Sequence, residues 1–204
     1  MSGLREKQKA DRQSRILGAA VSQFRVSGYR SVRIGDIAGR AGVSVGTVYN
    51  YYQTKGDILI AVVAMEVEEV LEAGAAIVAG PPEGVQVAIL SLIYGYYDHS
   101  LEYLSKEMWR SAMALSIESP GTRYGMLYHD LDRRLAAQVT DLVAALQTRG
   151  DVTGDLNAQA LGGLIFSNLN QNFIDFVKDD EMSLTVLKNT VADQTGPLVR
   201  LISA

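Results

Sequence analysis

Apolar residues recur along this chain at intervals of three and four, and no stretch alternates at period two for long enough to demand a strand. The spacing predicts an all-α protein. A first helix is expected over Glu6–Val26, with Ile16, Leu17, Ala20, Val21 and Phe24 on one face and Gly28 just past its end. From Ile34 to Tyr52, small and apolar residues fall where two helices crossing at a tight turn need them. Ala38 supplies a small residue at the crossing, and Gly42 tolerates the positive φ of the turn. Val43 and Val48 seal the angle, and the Ser44 hydroxyl can cap the second helix of this helix-turn-helix.

Thr54-Lys55-Gly56-Asp57 has the form of a capping box with Asp in place of Glu, and it opens a long fourth helix through Val78. Gly80-Pro81-Pro82 is the clearest linker. Beyond it, helices are expected from Glu83 to about Leu104, over Lys106–Ile117, over Arg123–Thr148 after the Ser119-Pro120-Gly121 break, and over Leu156–Lys178 with Asp155 as cap. A last helix is expected from near Ser183 toward Ile202, kinked or split at Pro197.

Charge changes the picture. The overall balance of −4 hides a basic end: residues 1–55 hold ten Lys and Arg against three acids, a balance of +7, and the remainder stands at −11. DNA affinity comes largely from phosphate neutralisation and counterion release, so only the N-terminal part is suited to nucleic acid. The division expected is a DNA-binding domain over 1–55 and a second domain over 56–204. The recognition surface would be Val45, Gly46, Thr47, Tyr49, Asn50 and Tyr51, short and weakly charged, able to enter a groove. The basic run Arg5–Arg15 is either a solvated helix face or an arm into the minor groove.

At 48% hydrophobic and 21% charged, the composition excludes a disordered tail. With no cysteine, disulfides, thiol catalysis and cysteine-ligated metals are excluded. The first residues are polar rather than an apolar signal, and no apolar run reaches about 18 residues, so a cytoplasmic protein with no membrane partner is expected. His99 and His129 lie in no metal-binding or nucleophile-elbow pattern, which argues against an enzyme and against a metal or cofactor.

Residues 12–60 resemble the DNA-binding domain of the tetracycline-repressor (TetR) family of transcriptional regulators. The likeness rests on Phe24, Gly28 and Tyr29, on Ile37-Ala38 and Ala41-Gly42-Val43-Ser44, on Gly46-Thr47-Val48-Tyr49-Asn50-Tyr51-Tyr52, and on Lys55 and Leu59. It implies phosphate and some base contacts from Thr47, Tyr49 and Tyr51, a phosphate contact from Lys55, and Val45 and Gly46 facing the bases. Gly35 stands where relatives often place an arginine, and Arg33 replaces the usual cap hydroxyl. Apolar contact with thymine methyls and shape readout are therefore implied, with Arg33 or Arg40 taking up phosphate or base contacts.

The same resemblance implies a repressor that binds a palindromic operator as a homodimer and is released by a small, largely apolar or aromatic effector. The alternative is a DNA-binding dimer with no effector. Pocket candidates are Tyr94, Tyr97, Trp109, Met113, Tyr128, Phe166 and Asn170, although aromatic residues at helical spacing also serve plain packing. Leu161, Ile165, Leu169 and Phe173 with Leu187 and Val191 form stripes suited to a four-helix dimer interface or to a closed core within one chain.

Overall fold

The computed structural model describes residues 2–204, and among these the chain is helical without strands. The helices are α1 (Ser2–Ser27), α2 (Ile34–Ala41), α3 (Val45–Tyr49), α4 (Lys55–Ala79), α5 (Val85–His99), α6 (Lys106–Glu118), α7 (Arg123–Arg149), α8 (Ala158–Lys178) and α9 (Leu184–Ile202). No described helix is long and apolar enough to cross a membrane.

Local chemistry sets most of these boundaries. Ser44, Ser105, Asn157 and Ser183 each accept a hydrogen bond from the backbone N–H three residues on, satisfying a donor that the first turn of a helix leaves open. The cap of α8 is thus Asn157 and not Asp155, because the Asn157 side chain is the one that reaches the Ala160 N–H, at 2.9 Å. At α4 the expected box forms: the Asp57 carboxylate accepts from Thr54 N–H at 2.9 Å, and Thr54 Oγ1 accepts from Asp57 N–H at 3.1 Å. Helix α5 stops at His99, short of Leu104, where Ser100 donates its hydroxyl to the Tyr97 carbonyl at 2.8 Å and so competes for a helical acceptor. Helix α9 continues through Pro197, since both Pro197 and Asp193, whose carbonyl loses its partner, are exposed to water.

Two compact units result. The first comprises residues up to Met65 together with Tyr103–Tyr128; the second comprises Glu66–Glu102 and His129–Ala204. This partition differs from a cut at residue 55, because the start of α4 and all of α6 belong with the N-terminal helices. In the first unit α1 packs on α2 and α2 on α3, burying Ile16, Ala20, Phe24, Ile37, Ala38, Val48 and Tyr52.

In the second unit α9 packs on α5 and α8. Two glycines permit close helix crossings there: a Cβ on Gly162 would lie 2.4 Å from Thr140 Oγ1 and 2.6 Å from Thr140 Cα, and one on Gly74 would lie 2.8 Å from Leu92 Cδ1. The C-terminus is held by the loop after α7, with Thr153 N–H donating to the Ile202 carbonyl at 2.9 Å and Ala204 N–H to that of Asp151 at 3.1 Å.

Candidate nucleic-acid interface

The turn between α2 and α3 is built by its backbone. Gly42 adopts φ 65°, a left-handed conformation that a side chain would strain, and Val43 N–H returns to the Ala38 carbonyl at 3.0 Å. Arg33 cannot cap α2 as a hydroxyl would, but Asp36 compensates by accepting from the Arg33 N–H at 2.9 Å. Ser44 Oγ accepts from Thr47 N–H at 3.1 Å and lies 2.8 Å from Thr47 Oγ1, so the two hydroxyls fix the entry to α3.

That short helix has two unlike sides. Val48 is fully buried, whereas Tyr49 is 51% and Val45 44% exposed, with Gly46 and Asn50 also open to solvent. Tyr49 thus presents an aromatic ring with a polar hydroxyl on the solvent side of α3. Arg33 and Arg40 are exposed as well and, among the described residues, make no ion pair, leaving two unneutralised charges beside the helix.

The residues after α3 anchor it. Tyr52 is buried, with Tyr51 and Tyr124 at 6.3 Å and 6.2 Å between ring centroids, and burial pushes its hydroxyl up to about 12. Tyr124 donates to the Tyr51 carbonyl at 3.0 Å, and the Tyr51 hydroxyl donates to the Lys9 carbonyl at 3.3 Å.

Lys55 departs from the phosphate role expected of it. Its ammonium donates to the carbonyls of Tyr29, Arg30 and Val32 at 2.7, 2.8 and 2.9 Å and lies 4.7 Å from the centre of the Tyr29 ring. All three protons are used. Lys55 therefore ties the α1–α2 turn to the start of α4, which explains a lysine at a helix N-terminus that the helix dipole disfavours. Burial holds its pKa below the usual lysine value, against the opposing pull of Glu107.

A feature that sequence reading missed lies beside α3. Helix α1 begins at Ser2, well before Glu6, and its first turns close a polar cleft of about 380 Å³ lined by Arg5, Gln8, Lys9, Arg12, Thr47, Asn50 and Tyr51. The basic run is helical, not an extended arm. The signal was present in the spacing of Arg5, Lys9, Arg12 and Ile16, which places basic side chains in line with the core face.

Residues 16–62 match the model of the family described as bacterial regulatory proteins, tetR family, and this span contains the whole α2–turn–α3 arrangement. This segment is a TetR-family DNA-binding domain. Among characterised relatives, the fatty acid metabolism regulator protein of Bacillus subtilis (strain 168) is 26% identical, over 92% of this chain and 95% of its own. The transcriptional repressor KstR of Rhodococcus jostii (strain RHA1) is 28% identical over 64% of this chain and 61% of its own, so the chain spans less than two thirds of that repressor. The fold is also that of a putative TetR-family regulator from Mesorhizobium loti, with TM-score 0.73 and 19% identity over 96% of this chain and 98% of that one. FadR of Bacillus subtilis, solved with stearoyl-CoA, has TM-score 0.67 and 18% identity over 88% and 95%.

Outside the TetR-family domain, the structure reassigns several expected positions. The pocket candidates do not share one unit: Trp109, Met113 and Tyr128 belong to the first, and Tyr94, Tyr97, Phe166 and Asn170 to the second. Tyr97 is a core residue, buried, stacked on Phe173 at 6.0 Å and donating to the Leu169 carbonyl at 2.7 Å. Tyr94 donates to the Lys188 carbonyl at 3.1 Å beneath the Lys188 ammonium. Phe166 and Asn170 are half-buried.

The expected dimer stripe is corrected too. Leu161, Ile165, Leu169, Phe173, Leu187 and Val191 are all buried within the single chain, where α8 and α9 pack on each other, so none is left to face a partner. The outer side of α8 instead exposes Leu164, at 57%. Three side-chain amides of α8 are engaged, Asn168 and Asn172 both donating to Gln194 Oε1 of α9, at 2.7 and 2.8 Å, and Gln171 to Asp175 at 3.0 Å.

Proposed function

We propose that this chain is a transcriptional repressor that reads a palindromic operator as a dimer and leaves it on binding an acyl-chain effector, with an acyl-CoA thioester as the class. The observation that carries the DNA half is the exposed face of α3, rigidly capped by Ser44 and flanked by unpaired Arg33 and Arg40 on the basic part of the chain. Val45, Gly46, Tyr49 and Asn50 face the bases and sugar–phosphate edges on this reading, with Thr47 and Tyr51 on the backbone and the two arginines on phosphate or base edges.

The effector class is supported by the relatives. The Bacillus subtilis fatty acid metabolism regulator matches nearly end to end, and FadR proteins of the same fold are solved with stearoyl-CoA and with lauroyl-CoA. Pairing two recognition helices about 34–36 Å apart supplies the contacts that one helix-turn-helix lacks. The outer side of α8, bearing exposed Leu164, is the pairing face on this reading.

Helix α4 begins beside the recognition helix in sequence and ends in the second compact unit. An effector that favours one arrangement of that unit would act on the recognition helices through α4. A preference of about 3 kcal/mol between states changes operator affinity roughly a hundredfold.

The test is fluorescence anisotropy on DNA flanking the gene, with scrambled DNA and the Tyr49→Ala variant as controls. Selective binding lost in the variant and reversed by stearoyl-CoA but not by free coenzyme A is the expected result. Binding that stearoyl-CoA leaves untouched would overturn the effector class, and equal binding to both DNAs would overturn the operator reading at this site.

A further inference from the structure

The first three turns of α1 carry a helical face with no structural need to be basic. Arg5, Lys9, Arg12 and Ile16 follow at steps of four, three and four, so they lie on one face, and that face becomes the buried stripe of Ile16, Ala19 and Ala20 farther along. A helix that ran on only to shelter α3 would continue this stripe with apolar side chains. Here it turns cationic at the point where it lines the cleft beside the recognition helix.

Among the described residues nothing in the cleft neutralises the charge. Its lining of Arg5, Gln8, Lys9, Arg12, Thr47, Asn50 and Tyr51 contains no acid, and Arg5, Lys9 and Arg12 make no ion pair with a described residue. The two acids of this stretch, Glu6 and Asp11, fall at helical positions turned away from the cleft face. Tyr51 donates to the Lys9 carbonyl at 3.3 Å, which joins the two walls. Opposite the cations stand a hydroxyl and an amide, Thr47 and Asn50, which are donors suited to a phosphate oxygen. A cleft of about 380 Å³ accommodates such a group.

We propose that this cleft is a phosphate-binding site, formed by Arg5, Lys9 and Arg12 of α1 with Thr47 and Asn50 of the recognition segment, and that it takes a backbone phosphodiester of DNA. The site rests on the operator reading above and deepens it. It supplies affinity and register without base information, since guanidinium groups on phosphate do not distinguish sequences. It also makes α1, which lies outside the helix-turn-helix, part of the DNA-binding surface.

The experiment begins with the full chain selecting binding sites from a random duplex pool, followed by affinity measurements across salt on the selected duplex for the parent and for an Arg5→Gln/Arg12→Gln variant. Both positions are polar helix positions outside the core, and circular dichroism with thermal melting confirms that the variant folds. The expected result is a loss of tenfold or more in affinity near 0.1 M salt, a salt slope shallower by about one to two, and the same selected sequence. Neutral methylphosphonate placed at single backbone positions should weaken the parent at several positions, and in each half-site one of these should no longer weaken the variant. Unchanged affinity and slope in the variant, with the parent still selective, would overturn the cleft and leave the operator reading intact. A changed consensus would overturn it by making the arginines base readers. No selection by the parent would overturn the operator reading and the cleft together. Inorganic phosphate, added at constant ionic strength, separates a free-anion site from a DNA site: saturable phosphate binding by the parent that leaves its DNA affinity unchanged would overturn the assignment to DNA.

Discussion

Lys55 shows how a residue's partners decide its role. A lysine at the start of a helix beside a recognition segment has the right position for phosphate, yet its three protons already lie on three carbonyls. Replacing Lys55 with Met should therefore cost about 2 kcal/mol of stability in urea denaturation, as hydrogen bonds from a charged group are lost and buried acceptors are left open. The salt slope of DNA binding should stay as in the parent, because no phosphate contact is removed.

Two titratable groups of the second unit give its stability a pH dependence of the same sign. His99 stands between Glu66 and Glu69, its ring nitrogens 2.7 and 3.1 Å from their carboxylates. Burial of the ring lowers its pKa, but the hydrogen bond with Glu66 and the charges of Glu66, Glu69 and Glu102 raise it further, so it ends above its ordinary value of 6.5. Asp132 is raised by burial from 3.8 to about 6, against a smaller lowering by His129. A raised value means stability that is complete below the unfolded pKa and lost as pH climbs through the folded one. Asp132→Asn should accordingly leave the melting temperature unchanged near pH 4 and raise it by several degrees at pH 8. His99→Gln should cost about 2 kcal/mol at pH 5 and progressively less as pH rises past the folded value. Melting curves of both variants across this range check the signs.

At the scale of elements, the helices were legible because their signals are local. Capping side chains, the Gly42 turn and three-to-four spacing each act within a few residues, and the observed ends of α4, α6 and α7 fall within a residue of expectation. Where an end was misplaced, two local signals competed: Asn157 against Asp155, or Ser100 against continued periodicity. Close crossings were not legible, since a glycine in a helix looks the same whether its face is crowded or open. Gly162→Ala should force α8 off Thr140 and cost about 1–3 kcal/mol. Gly95→Ala, in the same unit and with nothing within 4 Å of the new Cβ, should be neutral or stabilising by up to about 1 kcal/mol. Paired urea titrations distinguish the two.

For the whole molecule, the separation of charge matters more than its total. A chain with a balance of −4 would be a poor polyanion ligand if its charges were mixed, but +7 over the first 55 residues against −11 elsewhere leaves one basic end. Operator affinity should fall on the order of a thousandfold between 50 and 200 mM salt, since a dimer bearing two such ends displaces many counterions. Anisotropy at four salt concentrations measures the slope, and a flat response would show that the basic end is not the binding surface.

Helix type, the recognition turn and the charged end were determined by sequence alone, because each depends on neighbours a few residues away or on a sum over a segment. What covers each apolar face was decided by tertiary structure. The stripe Leu161–Phe173 reports through its period that one side of α8 is dry, and the same period would serve a partner chain or α9. The side chains Tyr97, Lys55, Arg5, Lys9 and Arg12 likewise carry no mark of their partners, which lie between 23 and 76 positions away for the first two. Hydrophobic burial is non-directional, and the identity of the covering surface is fixed only when distant segments meet.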